Sequence, residues 1–277
     1  KAPRTNPDAA EHHEPWPGSR TNHYFFDLNR DWSWSTQQET RARVALYLQW
    51  MPHVHVDYHE MDYTSTYFFF PSAHPMHTQL PEQVRKWGTI FGRANAEVFD
   101  RFGLRYFTGE SFDLFYPGYG DSWPTFSGAI GMTYEQAGHA RAGLAVRRPD
   151  GSLLTLRERV RNHYLTAITT LHTAVAHRRE RLVDFHEFWK TGLTAGGALR
   201  AFLIPPGRDP DTAAELAQTL FRQGIEIGQT TRPMVIRAVP LLEARAREMS
   251  FPAASAAEPA CPGTAGSARC RSRYRLL

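Results

Sequence analysis

The chain has 277 residues, 42% hydrophobic and 22% charged, with 32 Lys and Arg against 28 Asp and Glu. A net charge of +4 is too small to argue for a nucleic-acid or membrane-surface partner, and no stretch approaches the ~18 apolar residues of a membrane span. The two cysteines, Cys261 and Cys270, both stand near the carboxy end, which excludes a disulfide scaffold, a thiolate zinc site and a cysteine nucleophile in the body of the chain. Charge is segregated: residues 1–140 carry 11 basic and 16 acidic side chains (−5), leaving +9 for residues 141–277. The first half also holds 9 of the 13 histidines, so candidate chemistry is sought there.

Residues 1–22 are polar and turn-rich and read as loop. Residues 23–28 read as a short aromatic strand, followed by the turn Asn29-Arg30-Asp31. Ser35 or Thr36 is placed to cap a helix reaching Met51, which Pro52 ends, with Val44, Tyr47, Leu48 and Met51 on its buried face. Residues 53–58 alternate as a half-buried strand does. A helix is predicted over 81–102, with Val84, Trp87, Phe91, Ala94, Val98 and Phe102 on one side and Gly103 as its stop. Residues 109–128, rich in Gly, Pro and aromatics, read as a long ordered loop of the kind that carries function. Residues 129–134 read as a buried strand ending at Glu135. A long helix is predicted over 156–182, with apolar spacing at Leu156, Val160, Tyr164, Ile168, Leu171 and Val175. Residues 199–204, a helix over 210–223 and residues 225–227 read as a small β-α-β unit. After Ser250 the composition turns to Ala, Pro, Ser, Gly and Arg, which predicts a disordered tail. The alternation of strands and helices favours an α/β fold.

Three segments carry candidate chemistry. Asp57-Tyr58-His59-Glu60 stands where a strand runs out, and ligands gather at the carboxyl ends of strands in α/β sheets, so His59 is a candidate metal ligand. His53, His55 and Asp57 share a face by period two, whereas His59 is read as following the strand. Asn29 and Arg30 follow another strand end, where a guanidinium offers a fork for a carboxylate or phosphate. Glu135, at the end of an apolar strand, must be desolvated or paired, which marks it as a site carboxylate. Taken singly, a hydrogen-bonded structural histidine and a surface turn arginine are the better readings of the first two.

Taken in order, Asn6-Pro7-Asp8, Asp27-Leu28-Asn29-Arg30, Asp57-Tyr58-His59-Glu60, the run Gly118–Trp123 with Asp121-Ser122-Trp123, and Met132-Thr133-Tyr134-Glu135 form a series. It resembles the zinc carboxypeptidases of the carboxypeptidase A-like family, over roughly residues 4–140 and the helix after them. The resemblance implies a zinc cofactor with His59 as the third ligand, and a peptide or protein substrate with a free carboxy terminus. It implies that Asn29 and Arg30 bind the terminal carboxylate, and that Arg20 stabilises the tetrahedral intermediate. Asp27 resembles the carboxylate that orients the first zinc histidine, and Glu135 the general base and proton shuttle. The family's mobile tyrosine corresponds to Tyr116 or Tyr119, and its specificity position to Gly120. A secreted or periplasmic location is favoured by the resemblance alone.

One departure is large. The family's H-x-x-E, source of the other two zinc ligands, is expected upstream of Asn6, and the chain starts at Lys1; an amino-terminally truncated catalytic domain is therefore expected. His12-His13-Glu14 has the wrong spacing, and the H-x-x-E at His177 and Glu180 lies on a charged helix end. His74 and His77 are expected to line or flank the cleft, Tyr67-Phe68-Phe69-Phe70 to form core, and the arginines of residues 141–181 to form a solvated face. Gly118-Tyr119-Gly120 is not read as a phosphate loop, since no helix start is seen after it. These readings give an α/β/α sandwich with a mixed, mainly parallel sheet, incomplete at the amino end, and a β-α-β appendage. The expected organisation is a catalytic domain over 1–190, the appendage over 197–249 and the tail over 250–277. The implied function is a zinc-dependent metallocarboxypeptidase. The alternatives are an inactive fragment or peptide-binding relative without zinc, and a zinc amidohydrolase acting on cell-wall peptides or N-acyl amino acids.

Overall fold

The computed structural model describes residues 20–138, 143–194, 202–205, 207–230, 235–237 and 248–250. The chain divides into two compact units, Lys1–Thr194 and Ala195–Leu277. The first unit contains α1 (Gln38–Trp50), β1 (Val54–Met61), β2 (Tyr67–Phe68), β3 (Ala73–Met76), α2 (Gln83–Arg101), β4 (Asp113–Leu114), α3 (Ser122–Phe126), β5 (Ile130–Ala137), β6 (Ala145–Arg147), β7 (Leu153–Thr155), α4 (Leu156–Ala176) and α5 (Arg178–Thr194). The second contains α6 (Pro210–Arg222), β8 (Val235–Arg237) and β9 (Glu248–Ser250).

The alternating segment and the apolar segment pair along their whole length. β1 and β5 run parallel, with Val54 opposite Ile130 through to Met61 opposite Ala137. β2 joins the other edge of β5 antiparallel, so the sheet is mixed, in the order β1-β5-β2. Period two then sorts the side chains. Ile130, Met132 and Tyr134 pack with Tyr67, Phe68, Phe69 and Phe70 and with Val84, Trp87, Phe91 and Phe99 of α2 in one buried cluster. On the opposite face Trp32, Val44 and Tyr47 join Trp123 of α3, and the His55 ring lies 5.7 Å from the rings of both Trp32 and Tyr47. Helices thus cover both faces, which is the α/β/α layering expected. The aromatic block 67–70 is core, as expected, with no member more than 2% exposed.

Several expectations change. Residues 23–28 are not a strand, because Phe25 adopts φ 63° and reverses the chain. The Asn22 side chain holds the reversal, its Oδ1 accepting from the amides of Tyr24 (3.0 Å) and Phe26 (3.1 Å). A 3-10 turn at Leu28–Arg30 follows, capped by Asp27, whose carboxylate accepts from the Asn29 amide. The region 109–128 is not all loop: it holds β4 and α3, and α3 does begin directly after Gly120-Asp121. In α2 the buried positions after Phe91 are Gly92, Asn95 and Phe99, and Phe102 is turned outward.

Neither Ser35 nor Thr36 caps α1 through its side chain. Asp31 does this instead: its Oδ1 accepts from the Thr36 amide (3.0 Å) and hydroxyl (2.6 Å), and its Oδ2 accepts from the Gln37 amide (2.9 Å). Burial alone would raise the pKa of this carboxyl, but the bonds from Thr36 and Gln37 outweigh it and hold the pKa below the ordinary value. Asp31→Ala is expected to cost about 1–2 kcal/mol, because the donors at the start of α1 lose their acceptor. A urea melt measures this directly, and an unchanged midpoint would remove Asp31 from that role.

The single helix expected over 156–182 is two, divided at His177. Its apolar stripe faces outward: Val160, Tyr164, Leu171 and Val175 are 60%, 61%, 60% and 62% exposed. The buried face is polar instead, with Arg159, Asn162, Thr166, Thr170 and Thr173. The reason lies in what it covers. The sheet presents polar tips there, and they are satisfied by Asn162 Nδ2 donating to Gln136 Oε1 (2.9 Å), by Thr166 with the Tyr67 hydroxyl (2.8 Å) and by Thr170 with the Tyr134 hydroxyl (3.0 Å). Two arginines expected on a solvated face are buried as well. Arg159 pairs with Glu60 across to β1, and Arg181 lies 5.3 Å from the centroid of the Trp87 ring. His177 and Glu180 form a surface cluster with Lys86.

In the second unit, α6 starts as predicted, with Asp209 accepting from the Thr212 amide (3.1 Å) and Pro210 in the first turn. The flanking strands of the expected β-α-β unit are not found among the described residues: 202–205 are in no strand, and Ile225 forms an isolated bridge. Pro205 lacks an amide donor, which disfavours a ladder there. Residues 199–201, the tail after Ser250, Asn6-Pro7-Asp8 and His12-His13-Glu14 lie outside the described residues.

Candidate active site

The site forms at the carboxyl end of the parallel pair β1 and β5. β1 continues past Tyr58, so His59 lies within the strand, on the same face as Asp57, and opposite Glu135. This corrects the reading that His59 follows the strand. β5 likewise continues past Tyr134 and carries Glu135 inside it.

His59 Nε2 lies 2.7 Å from Asp57 Oδ2 and 3.0 Å from Asn29 Nδ2. The Asn29 amide is oriented by two donors on its Oδ1, the Gly120 amide (2.8 Å) and Trp32 Nε1 (3.2 Å). Nε2 cannot donate to Asp57 and accept from Asn29 at once. The closer carboxylate makes it the donor, and this bond is the largest cause of the raised pKa of His59, ahead of the opposing desolvation. Burial would raise Asp57, but the bond and charge of His59 outweigh it and hold Asp57 low. The two shifts agree on a charge-assisted pair. It fixes the ring and leaves Nδ1, once it has lost its proton, as the nitrogen that could meet a ligand.

Glu135 is 7% exposed, and burial pushes its carboxyl up to about 7. His59 and Arg20 pull that value down, while Asp57 and Asp121 push it up. Asp121, 5% exposed, is also raised to about 7, by burial first and by Asp57 second. A carboxyl with a pKa close to neutral is suited to taking and returning a proton.

Gly120 has no side chain for a packing reason. A Cβ there would overlap Asp57 Oδ2 and lie 2.7 Å from Asn29 Oδ1. Gly120→Ala is therefore expected to displace the Asn29 amide and cost about 1–3 kcal/mol. The NMR signal of Trp32 Nε1–H, which bonds the same oxygen, should move in this variant. A wild-type shift and wild-type melt would show that the contact relaxes without consequence.

The remaining predicted residues form the rim. Arg20 Nε donates to Asp27 Oδ2 (2.7 Å), and the Arg20 charge reaches both His59 and Glu135. Asp27 meets Asn29 and the two arginines among the described residues, with Arg30 Nη1 4.0 Å away. Arg30 Nη1 donates to the Asn29 carbonyl (2.9 Å), and the guanidinium lies 4.4 Å over the Tyr119 ring. The Tyr116 hydroxyl donates to the Arg30 carbonyl (3.0 Å) and accepts from Trp34 Nε1 (2.9 Å). Tyr116 is thus a fixed brace and Tyr119 a platform for the guanidinium. Asp57 as the partner of His59 was not foreseen, although period two over 53–59 signals it. Trp34 left no sequence signal.

Among the described residues no group of three His, Cys, Asp or Glu is arranged to hold a metal ion. A catalytic zinc takes three protein ligands, and the described residues do not by themselves fit zinc. No protein-family profile matches the chain, and no curated protein does. Among solved structures the chain is similar to a metallo-carboxypeptidase from Burkholderia cenocepacia, at 18% identity and a TM-score of 0.40, over 58% of this chain and 40% of that one. The chain therefore spans less than half the length of that protein.

Proposed function

We propose that the chain acts in hydrolysis of the carboxy-terminal peptide bond of peptides or proteins, as a zinc-dependent metallocarboxypeptidase. The observation that carries this reading is the placement of Glu135 opposite His59 at the carboxyl end of β1 and β5, with His59 held by Asp57. Arg30 follows Asn29 directly, so the proposed substrate anchor is tied to the loop whose Asn29 amide lies 3.0 Å from His59 Nε2.

Each residue has a role within the proposal. Arg30, stacked on Tyr119, takes the terminal carboxylate in a two-pronged hydrogen bond. Glu135 accepts a proton from the attacking water and returns it to the leaving amine. Arg20 stabilises the oxyanion that forms. Zinc belongs to the proposal through the family resemblance, with His59 as one ligand.

The test uses the full chain with benzoyl-glycyl-phenylalanine and its carboxamide, with added zinc and with a chelator. Cleavage of the free acid alone, stopped by the chelator, is expected. Equal cleavage of the amide would end the exopeptidase reading, and cleavage unaffected by the chelator would end the zinc reading. A second reading, a peptide-binding relative without zinc, is consistent with there being no group of three metal-ligating side chains among the described residues. It predicts peptide binding with neither turnover nor a zinc requirement.

A further inference from the structure

A cavity of about 190 Å³ lies between β3 and α2, and none of the residues of the active site lines it. Its floor is apolar and buried: Phe70 and Val84 are 2% exposed, and Leu114 is fully buried. Gly88 contributes to the wall without a side chain, and a Cβ there would lie at ordinary contact, 3.4 Å from Phe70 Cδ1. The rim is of opposite character. Arg85 and His74 stand on it, exposed, and neither side chain makes a hydrogen bond or ion pair within the described residues. None of the lining residues is acidic.

The size and the polarity select a ligand class together. An apolar cavity of about 150 Å³ is enough to hold a benzene ring, so this one takes a six-membered ring with a short arm. An arginine without a partner among the described residues, at the mouth, gives that arm a planar fork, to which a carboxylate is the matching anion. We propose that the cavity between β3 and α2 is a binding site for a small aromatic carboxylate, with the ring against Phe70, Val84 and Leu114 and the carboxylate on Arg85. Gly88 keeps the site open, since any longer side chain there projects over Phe70 into the space the ring occupies.

The test is an NMR titration of the methyl-labelled full chain with phenylacetate and with its neutral analogue phenylacetamide. Saturable shifts of the Val84, Leu114 and Met76 methyls are expected with phenylacetate, with the amide weaker by roughly tenfold or more. Arg85→Ala should lose the same factor while melting as the parent does. Gly88→Leu should abolish the shifts by filling the cavity, and Arg30→Ala should leave them unchanged, which separates this site from the proposed substrate anchor. Equal affinity for the amide, no binding of phenylacetate at millimolar concentration, or shifts that vanish with Arg30→Ala instead of Arg85→Ala would each overturn the proposal.

Discussion

Glu135→Gln is expected to lower kcat by ~10²–10⁴-fold, the usual contribution of a positioned proton shuttle, while making the folded protein more stable at neutral and alkaline pH. The two effects have one cause. Burial raises the Glu135 carboxyl from 4.5 to about 7, so the folded state binds its proton more tightly than the unfolded chain does. Stability from this group is therefore complete below pH 4.5 and is lost as pH rises through 7. On the order of 3 kcal/mol is at stake above that window. Glutamine has nearly the same shape and no charge to bury, so it should retain that stability. The parent and Glu135→Gln should then melt alike near pH 4.5 and diverge by about pH 8, with the variant higher. A variant that lost activity and melted lower at alkaline pH would show that Glu135 acts by holding the fold, and retained turnover would remove it from the chemistry. Asp121, raised to about 7 by the same burial and by Asp57, adds a second component of the same sign.

Much of this site was legible because strand alternation and strand ends are properties of the local sequence. Residues 53–58 showed period two, and extending it by one step puts His59 beside Asp57, which is what the structure shows. Glu135 was legible because an acid inside an apolar run has to have a reason to be there. The failures share a different origin. The stripe of Val160, Tyr164, Leu171 and Val175 has helical spacing, and the helix is there, but spacing does not say which face meets the sheet. That was decided by the hydroxyls of Tyr67 and Tyr134 and the amide of Gln136, two of them on β5 and one on β2, far along the chain. The aromatic run at 23–28 looked like a strand because Tyr and Phe favour strands. A single residue at positive φ and the Asn22 side chain overrode that preference. The cap of α1 was sought at the hydroxyl residues next to the helix and came from Asp31, several residues before its first turn. Local pattern finds elements; contacts across the chain choose their orientation.

Arg30→Ala is expected to raise KM for free-acid peptides by ~100-fold, the loss of a charge-assisted pair worth about 3 kcal/mol, with a much smaller change in kcat. The split follows from position. The guanidinium is held by the Asn29 carbonyl and the Tyr119 ring, and its side chain is 46% exposed, so it can bind substrate without itself standing among the groups that would exchange protons. Arg30→Lys should recover only part of the loss, because an ammonium supplies the charge without the two-pronged geometry. Tyr119→Ala should produce a smaller, several-fold rise in KM, since a ring beneath a partly exposed guanidinium contributes about 0.5–1 kcal/mol, and Tyr119→Phe should keep most of it. The decisive readout is the ratio of acid to amide cleavage. If Arg30 reads the terminal carboxylate, the ratio falls toward one in Arg30→Ala because cleavage of the acid drops to the level of the amide. If Arg30 only braces the loop that carries Asn29, both substrates fall together, kcat falls with them because the Asn29 amide beside His59 is displaced, and the melt shifts as it does for Gly120→Ala.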